Sequence, residues 1–379
     1  SEKGDFIAAS MTITESRKKL IDFSDEYLSI QQKVILHANN YQIQRIEDLQ
    51  GKTIHVRLGT SYEERLRQLK YGGMHINIKL HEDTPTEELI RMVAAKEIEI
   101  TVADSNIAAL NRRYYPDVKI AFAIEKPQAL GWGVKKRERA LLKKIEKPQA
   151  LGWGVKKRER ALLKKINKFL QKIKENGTLR KLYETHYAYV EIFDYADLKR
   201  YHRRIKTRLP KYEKIIRQAA LKYGFDWRLI AAVIYQESHF DPGARSFTGV
   251  KGIMQLTRET AKEMGIKDRS DPEQSIMGGV KYIDRLYKGW SDANDPDRLL
   301  ITIASYNVGR GHILDAREIA LEKGLDPNSW SDLKEILPLL RYAKYYKKSR
   351  YGYCRGTEPV NYVKRILTYY DILKREAIT

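Results

Sequence analysis

The chain has a single cysteine, Cys354, among its 379 residues. That excludes an internal disulfide and any metal site built on several thiolates, and it leaves the redox compartment open. Long apolar runs are missing too. The two longest, "LIAAVI" (229–234) and "LLITIA" (299–304), fall far short of the roughly 18 residues that a membrane-spanning helix needs. No stretch combines a basic start, an apolar core and a small-residue cleavage site, so nothing reads as a secretory signal. The chain opens on Ser1 rather than on methionine, as a processed or truncated start would. Acidic residues are scarce: 49 stand against 71 basic ones, a net charge of +22. A field of that sign attracts polyanions such as nucleic acid, anionic lipid or a carboxylate-bearing polymer. The basic residues are spread over segments that read as solvated helix faces, and no nucleic-acid-binding signature accompanies them. Nucleic acid is therefore not expected as a partner.

What is present has two textures. Over the first ~125 residues, strand-like and helix-like segments alternate. "GDFIAASMT", "QKVILHA", "KTIHVRLG", "INIKLHE", "IEITVAD" and "VKIAFAI" read as strands, with "YEERLRQLKYGG" and "TEELIRMVAAKE" as helices between them. That rhythm predicts a parallel α/β sheet. From about residue 195 the strand signals stop, and a series of helices with short connections follows. The expected organisation is an α+β multidomain chain: an α/β domain over 1–194 and an all-α domain over 195–379.

Between them lies a repeat. "IEKPQALGWGVKKRERALLKK" occurs at 124–144 and again, letter for letter, at 145–165. Repeat proteins drift between copies, so a recent tandem duplication or an assembly error fits better than a solenoid. Each copy reads as a short strand, "ALGWGVKK", followed by the start of a basic helix. Only the second copy runs on into the helix "INKFLQKIKENGTLRKLYETHY", which makes one copy redundant.

The chemistry concentrates around "YQESHFDPGARSFTGVKGIMQLT" (235–257). Asp226 is a suitable N-cap for a helix that "DPG" (241–243) would end. Three, four and seven residues before Glu237 stand Ile234, Val233 and Ile230, so the carboxylate extends an apolar face at the helix C-terminus. Desolvation and the negative end of the helix dipole both oppose ionisation there. A carboxyl held protonated near neutral pH suits a general acid. By periodicity alone, a polar residue at a frayed helix end fits equally well. The loop that follows combines Gly249 and Gly252 with Ser246, Thr248, Met254 and Gln255, a mixture suited to a sugar's hydroxyl groups and apolar ring face. Tyr306 and Asn307 close an apolar helix in "ASYNVGRG", and Tyr362 lies on an amphipathic helix in "GTEPVNYVKRI". Asp241 is the obvious second carboxylate, but Pro242 after it points to shaping the turn.

Those motifs, in that order, resemble a goose-type-lysozyme-like lytic transglycosylase domain over most of 195–379. "WSDLKEILPLL" and "YYKKSRYGYCRG" further resemble the membrane-bound lytic murein transglycosylase F group. The resemblance implies nonhydrolytic cleavage of the β-1,4 bond between N-acetylmuramic acid and N-acetylglucosamine, giving 1,6-anhydromuramoyl ends. It makes Glu237 the single acid/base and places Ser246, Met254, Gln255, Tyr306, Asn307 and Tyr362 along the substrate cleft. His239 has no catalytic role in that pattern. The resemblance also implies peptidoglycan strands as partner, no metal or organic cofactor, and a periplasmic location peripheral to the outer membrane. A hydrolytic muramidase would need a second carboxylate, and a binding module or sensor would need no intact site.

"AASMTITESRKKLIDFSDEYL" resembles the amino-acid-binding type of periplasmic solute-binding protein (type II). That likeness places Thr12 and Arg17 at a ligand carboxylate, a match for guanidinium chemistry. It adds Arg57, Thr60 and Ser61 at a helix N-terminus, and Asp104 at a ligand ammonium. The expected ligand is an amino acid or a muropeptide with a regulatory role. The same resemblance implies a first lobe that starts upstream of Gly4.

Overall fold

The computed structural model describes residues 6–135, 151–179, 182, 195–246 and 249–376. The chain divides into two units, Ser1–Glu191 and Ile192–Thr379.

Among the described residues of the first unit, nine strands form two sheets. Strands β1 (Phe6–Thr12), β2 (Ile21–Phe23) and β3 (Leu28–Ile30) all pair antiparallel with β9 (Gln128–Lys135). Strands β4 (Gln32–His37), β5 (Thr53–Arg57), β6 (Asn77–His81), β7 (Ile100–Asp104) and β8 (Val118–Ala123) form a five-stranded sheet in the order β6-β5-β7-β4-β8. All six strands expected from the sequence are there, but the sheet is mixed. Only β5 runs parallel to its neighbours β6 and β7, whereas β4 runs antiparallel to both β7 and β8. The expectation of a parallel sheet failed because burial on both faces gives either direction the same apolar run. β4 shows this directly. Val34 and Leu36 join one apolar cluster and Ile35 the cluster on the opposite face, as a two-residue period requires. Helix α1 (Glu15–Lys18) follows β1. Helix α2 (Ser61–Tyr71) supplies Tyr62 and Leu66 to the first cluster, while α3 (Thr86–Ala94) and α4 (Ser105–Arg112) cover the second.

The two copies of the repeat differ in structure. In the first, "QALGWGVK" is β9. In the second, "LGWGVK" opens helix α5 (Leu151–Glu175), so the expected second strand is not formed. Residues 136–150 lie outside the described residues. Helix α5 stops at Glu175, before the Asn176–Gly177 turn, instead of running on, and most of "TLRKLYETHY" also lies outside the described residues.

The second unit is helical: α6 (Tyr195–Thr207), α7 (Glu213–Tyr223), α8 (Trp227–Ser238), α9 (Arg258–Met264), α10 (Pro272–Lys288), α11 (Asp297–Val308), α12 (Arg310–Glu322), α13 (Trp330–Ile336), α14 (Ala343–Tyr346) and α15 (Thr357–Glu376). At its centre, α8 buries seven successive residues, Leu229–Tyr235, between α7 and α15. A helix apolar all round is stable only when neighbours enclose it. Asp226 caps α8 by accepting the Arg228 N–H at 2.9 Å, and its carboxylate is further held by the Arg228 guanidinium and the Tyr370 hydroxyl.

Candidate active site

Glu237 is the penultimate residue of α8. Ile230, Val233 and Ile234 behind it are fully buried. Ile230 and Val233 line a small apolar hollow that Ile283, Ile303 and the rings of Tyr306 and Tyr362 complete. Burial pushes the Glu237 carboxyl up to about 7. The Tyr362 hydroxyl, which donates to Oε1, pulls the other way and offsets only part of the rise. No charged neighbour contributes to the shift. The residue as a whole is half-buried.

The chain turns away from Glu237 earlier than "DPG" suggests. His239 and Phe240 both adopt left-handed backbone, φ 55° and 58°. Each costs about 1–2 kcal/mol for a residue with a Cβ. Gln255, at φ 48°, is a third. Three of the four non-glycine residues with positive φ among those described thus flank one carboxyl, the concentration expected where backbone strain serves a site. Asp241 shapes the turn, accepting the Gly243 N–H at 2.9 Å, and is exposed. His239 serves as the helix C-cap, with its ring against Tyr235.

The glycine loop is tied down at several points. Ser238 Oγ donates to the Ile253 carbonyl at 2.8 Å, joining α8 to the loop. Gly252 has φ 85°, and a Cβ there would fall 1.8 Å from the Arg269 carbonyl oxygen, so no side chain fits. Gln255 turns inward: Nε2 donates to the carbonyls of Ala244 (2.9 Å) and Gly252 (2.8 Å). Met254 is fully buried, and its carbonyl accepts from the Tyr306 hydroxyl at 2.7 Å. Burial first, and the nearby Glu237 second, hold that hydroxyl well above its ordinary range.

Glu237, Tyr362, Tyr306 and Met254 are therefore brought together. Gln255 braces the loop. Ser246, whose Oγ accepts the Val250 N–H at 3.3 Å, and Asn307 are both exposed. Thr248 lies outside the described residues. The sequence reading missed Tyr282, whose ring packs 5.6 Å from that of Tyr306. No local motif marks it, because it joins the site from α10 by packing alone.

The first unit holds a second polar cluster. Thr12 Oγ1 and Ser61 Oγ are 3.0 Å apart, and Arg17 donates to the carbonyls of Thr12 (3.1 Å) and Gly59 (3.0 Å). Thr60 caps α2, its hydroxyl also donating to the Arg57 carbonyl at 2.8 Å, while the Arg57 side chain is exposed. Asp104 is buried at the N-terminus of α4, and its Oδ1 has no hydrogen-bond partner. Burial raises its carboxyl to about 6, against the pull of the Arg17 charge.

Comparison with known proteins covers both units. The model of the family "Transglycosylase SLT domain" matches residues 214–327, and that of "Bacterial extracellular solute-binding proteins, family 3" matches 1–189. A membrane-bound lytic murein transglycosylase F of Desulfosudis oleivorans is 52% identical over 98% of this chain and 78% of its own length. The protein of that name from Stutzerimonas stutzeri is 38% identical over 97% of this chain and 71% of its own length. Among solved structures, an ancestral arginine-binding protein bound to arginine is 28% identical, with a TM-score of 0.39, over 48% of this chain and 72% of its own. The fold is thus a type II solute-binding-like domain followed by a helical lysozyme-like domain. With more than half its residues shared with one relative along nearly its whole length, the chain belongs to the membrane-bound lytic murein transglycosylase F family.

Proposed function

We propose that the protein is a lytic transglycosylase that cleaves the β-1,4 bond between N-acetylmuramic acid and N-acetylglucosamine in peptidoglycan, with Glu237 as its single acid and base. The observation that carries this reading is the Glu237 carboxyl at the end of α8, bonded at Oε1 by the Tyr362 hydroxyl and pushed by burial up to about 7. At neutral pH much of it is protonated and able to give its proton to the leaving glycosidic oxygen as the C1–O bond breaks. The resulting carboxylate then takes the proton of the muramoyl C6 hydroxyl while O6 attacks C1. That closes the 1,6-anhydro ring and restores the acid. Tyr362 bonds Oε1 and leaves Oε2 free for the transfer. Tyr306, bonded to the Met254 carbonyl, would help hold the site in shape, and the exposed Ser246 and Asn307 would supply polar contacts to the glycan.

Hydrolysis would require a second carboxylate about 5–9.5 Å away to attack or to hold water. Asp241 is already engaged by its own turn, which favours the nonhydrolytic route. Mass spectrometry of purified peptidoglycan after incubation with wild type and with Glu237→Gln tests this. Anhydromuropeptides from the wild type alone are expected. Reducing-end products would identify a muramidase instead.

The N-terminal unit fits a regulatory binding domain for an amino acid or a muropeptide. Asp104, with its unpartnered oxygen, would take the ligand ammonium, and Arg17 with Thr12, Thr60 and Ser61 its carboxylate. Arg57 is less well placed, since its side chain is exposed. The relatives' names carry "membrane-bound", and no described helix is long and apolar enough to cross a membrane. Both are compatible with a periplasmic protein held at the outer membrane surface.

A further inference from the structure

One surface remains outside this account. Residues 341–356, "RYAKYYKKSRYGYCRG", hold six cations, five tyrosines and no acid. Tyr342, Tyr351 and Tyr353 are 54%, 46% and 56% exposed. Cations and rings alternate on this strap. Arg341 lies over Tyr342, Arg350 over Tyr351 and Lys344 over Tyr345, at 5.4–5.8 Å from the ring centres, and Tyr353 meets Tyr346 edge to face.

The strap is preorganised. The buried Asp315 carboxylate on α12 accepts the N–H groups of Arg350 and Tyr351, each at 3.0 Å. The Cys354 N–H donates to the Leu340 carbonyl at 3.3 Å. The Tyr351 ring lies flush on Gly311, where a Cβ would come within 2.4 Å of it. Gly311 follows Asn307 by four residues, and the strap's last residue, Gly356, precedes Tyr362 by six. The strap is therefore pinned to α12, the helix after the one that carries Tyr306, and runs directly into α15, which carries Tyr362.

We propose that this strap is an extended binding surface for the peptidoglycan strand, engaging units beyond the bond being cleaved. The exposed tyrosine faces take sugar rings, and Lys344, Lys347, Lys348 and the arginines take the carboxylates of stem peptides. The proposal rests on the reading of Glu237 as a peptidoglycan-cleaving acid. A basic, aromatic surface also attracts anionic lipid, but 341–356 contain no Leu, Ile, Val, Phe, Met or Trp to enter a bilayer. Its continuity with α15, which carries Tyr362, favours the glycan.

The test is co-sedimentation of the full chain with insoluble peptidoglycan in the Glu237→Gln background, where nothing is cleaved. Lys344→Glu/Lys347→Glu/Lys348→Glu and, separately, Tyr342→Ala/Tyr353→Ala are each expected to weaken binding about tenfold. In the active background the same changes raise KM for polymeric peptidoglycan and leave kcat at saturation near wild type. Removing the stem peptides with an amidase removes the effect of the charge reversal and spares that of the tyrosine pair. Unchanged peptidoglycan binding in both sets overturns the proposal. So does a loss confined to phosphatidylglycerol vesicles, which would reassign the strap to a membrane surface. If the wild type releases no anhydromuropeptides yet the strap variants still lose peptidoglycan binding, the catalytic reading fails and the binding surface stands.

Discussion

Glu237 and Asp104 are both carboxyls raised by burial, to about 7 and about 6, and they differ in what each faces. Glu237 meets one neutral hydroxyl, that of Tyr362, and no charge. Asp104 lies in the field of Arg17 and keeps one oxygen without a partner. Desolvation alone does not assign a role. A neutral neighbour leaves a proton free to move to a substrate, whereas a fixed cation and an empty acceptor suit holding a ligand's opposite charge. The backbone around the two differs in the same sense. Glu237 is flanked by left-handed His239, Phe240 and Gln255, whereas Asp104 continues directly from β7 into α4.

Exchanging the two carboxyls for amides gives the largest contrast. Glu237→Gln is expected to lower turnover of peptidoglycan by about a thousandfold, within the range for loss of a general acid. Asp104→Asn should leave turnover on isolated glycan within about twofold, since it lies outside the chemistry. It should instead weaken binding of a free amino acid or muropeptide, read by calorimetry, about tenfold or more. Equal losses of turnover from both changes would break the contrast.

Tyr362→Phe comes next. Without the hydroxyl, kcat should fall roughly 10- to 100-fold, within or below the range for one preorganised donor. Because that hydrogen bond lowers the Glu237 pKa, its removal should also move the alkaline limb of kcat/KM upward in pH. In the wild type the acid must begin protonated, so activity should decline as pH rises through about 7. A limb that stays in place would show Tyr362 to act by shape alone.

The smallest effect is on stability. The Glu237 carboxyl is raised in the folded state from 4.5 to about 7, so between those values the folded chain keeps a proton that the unfolded chain releases. Its contribution to stability therefore falls as pH rises through that window and is lowest above about 7. Glu237→Gln should stabilise the second unit at pH 8 by on the order of 1–2 kcal/mol, allowing for partial solvent exposure, and by almost nothing at pH 4.5. Asp104→Asn should behave likewise over a lower window, from 3.8 to about 6. Thermal melts at both pH values read the difference.

Much of this was legible before the fold was known. The apolar spacing of Ile230, Val233 and Ile234 put Glu237 on a buried face, and Asp226 marked the start of its helix. Strand positions were equally plain, because runs such as "KVIL" suit a sheet covered on both sides. Their direction was not plain, since β4 would read the same either way along β7. Nor did the sequence announce that Gln255 folds back on the Ala244 and Gly252 carbonyls of its own loop, or that Tyr282 packs on Tyr306 from another helix.

The repeat marks the boundary between the two kinds of information. "LGWGVK" at 130–135 is a strand and at 151–156 a helix, with identical residues. In the first copy, β1, β2 and β3 supply backbone partners and the ring of Phe6 stacks on Trp132 at 5.7 Å. In the second, the chain runs directly into "INKFLQKIKE", where an apolar stripe of helical period is already fixed by packing of Ile166 and Leu170. The sequence by itself determined where the apolar faces, caps and turns lie, because these arise from neighbours a few residues apart. Only the tertiary structure decided which state an evenly balanced segment takes, because hydrogen-bond partners and buried surface come from elsewhere in the chain.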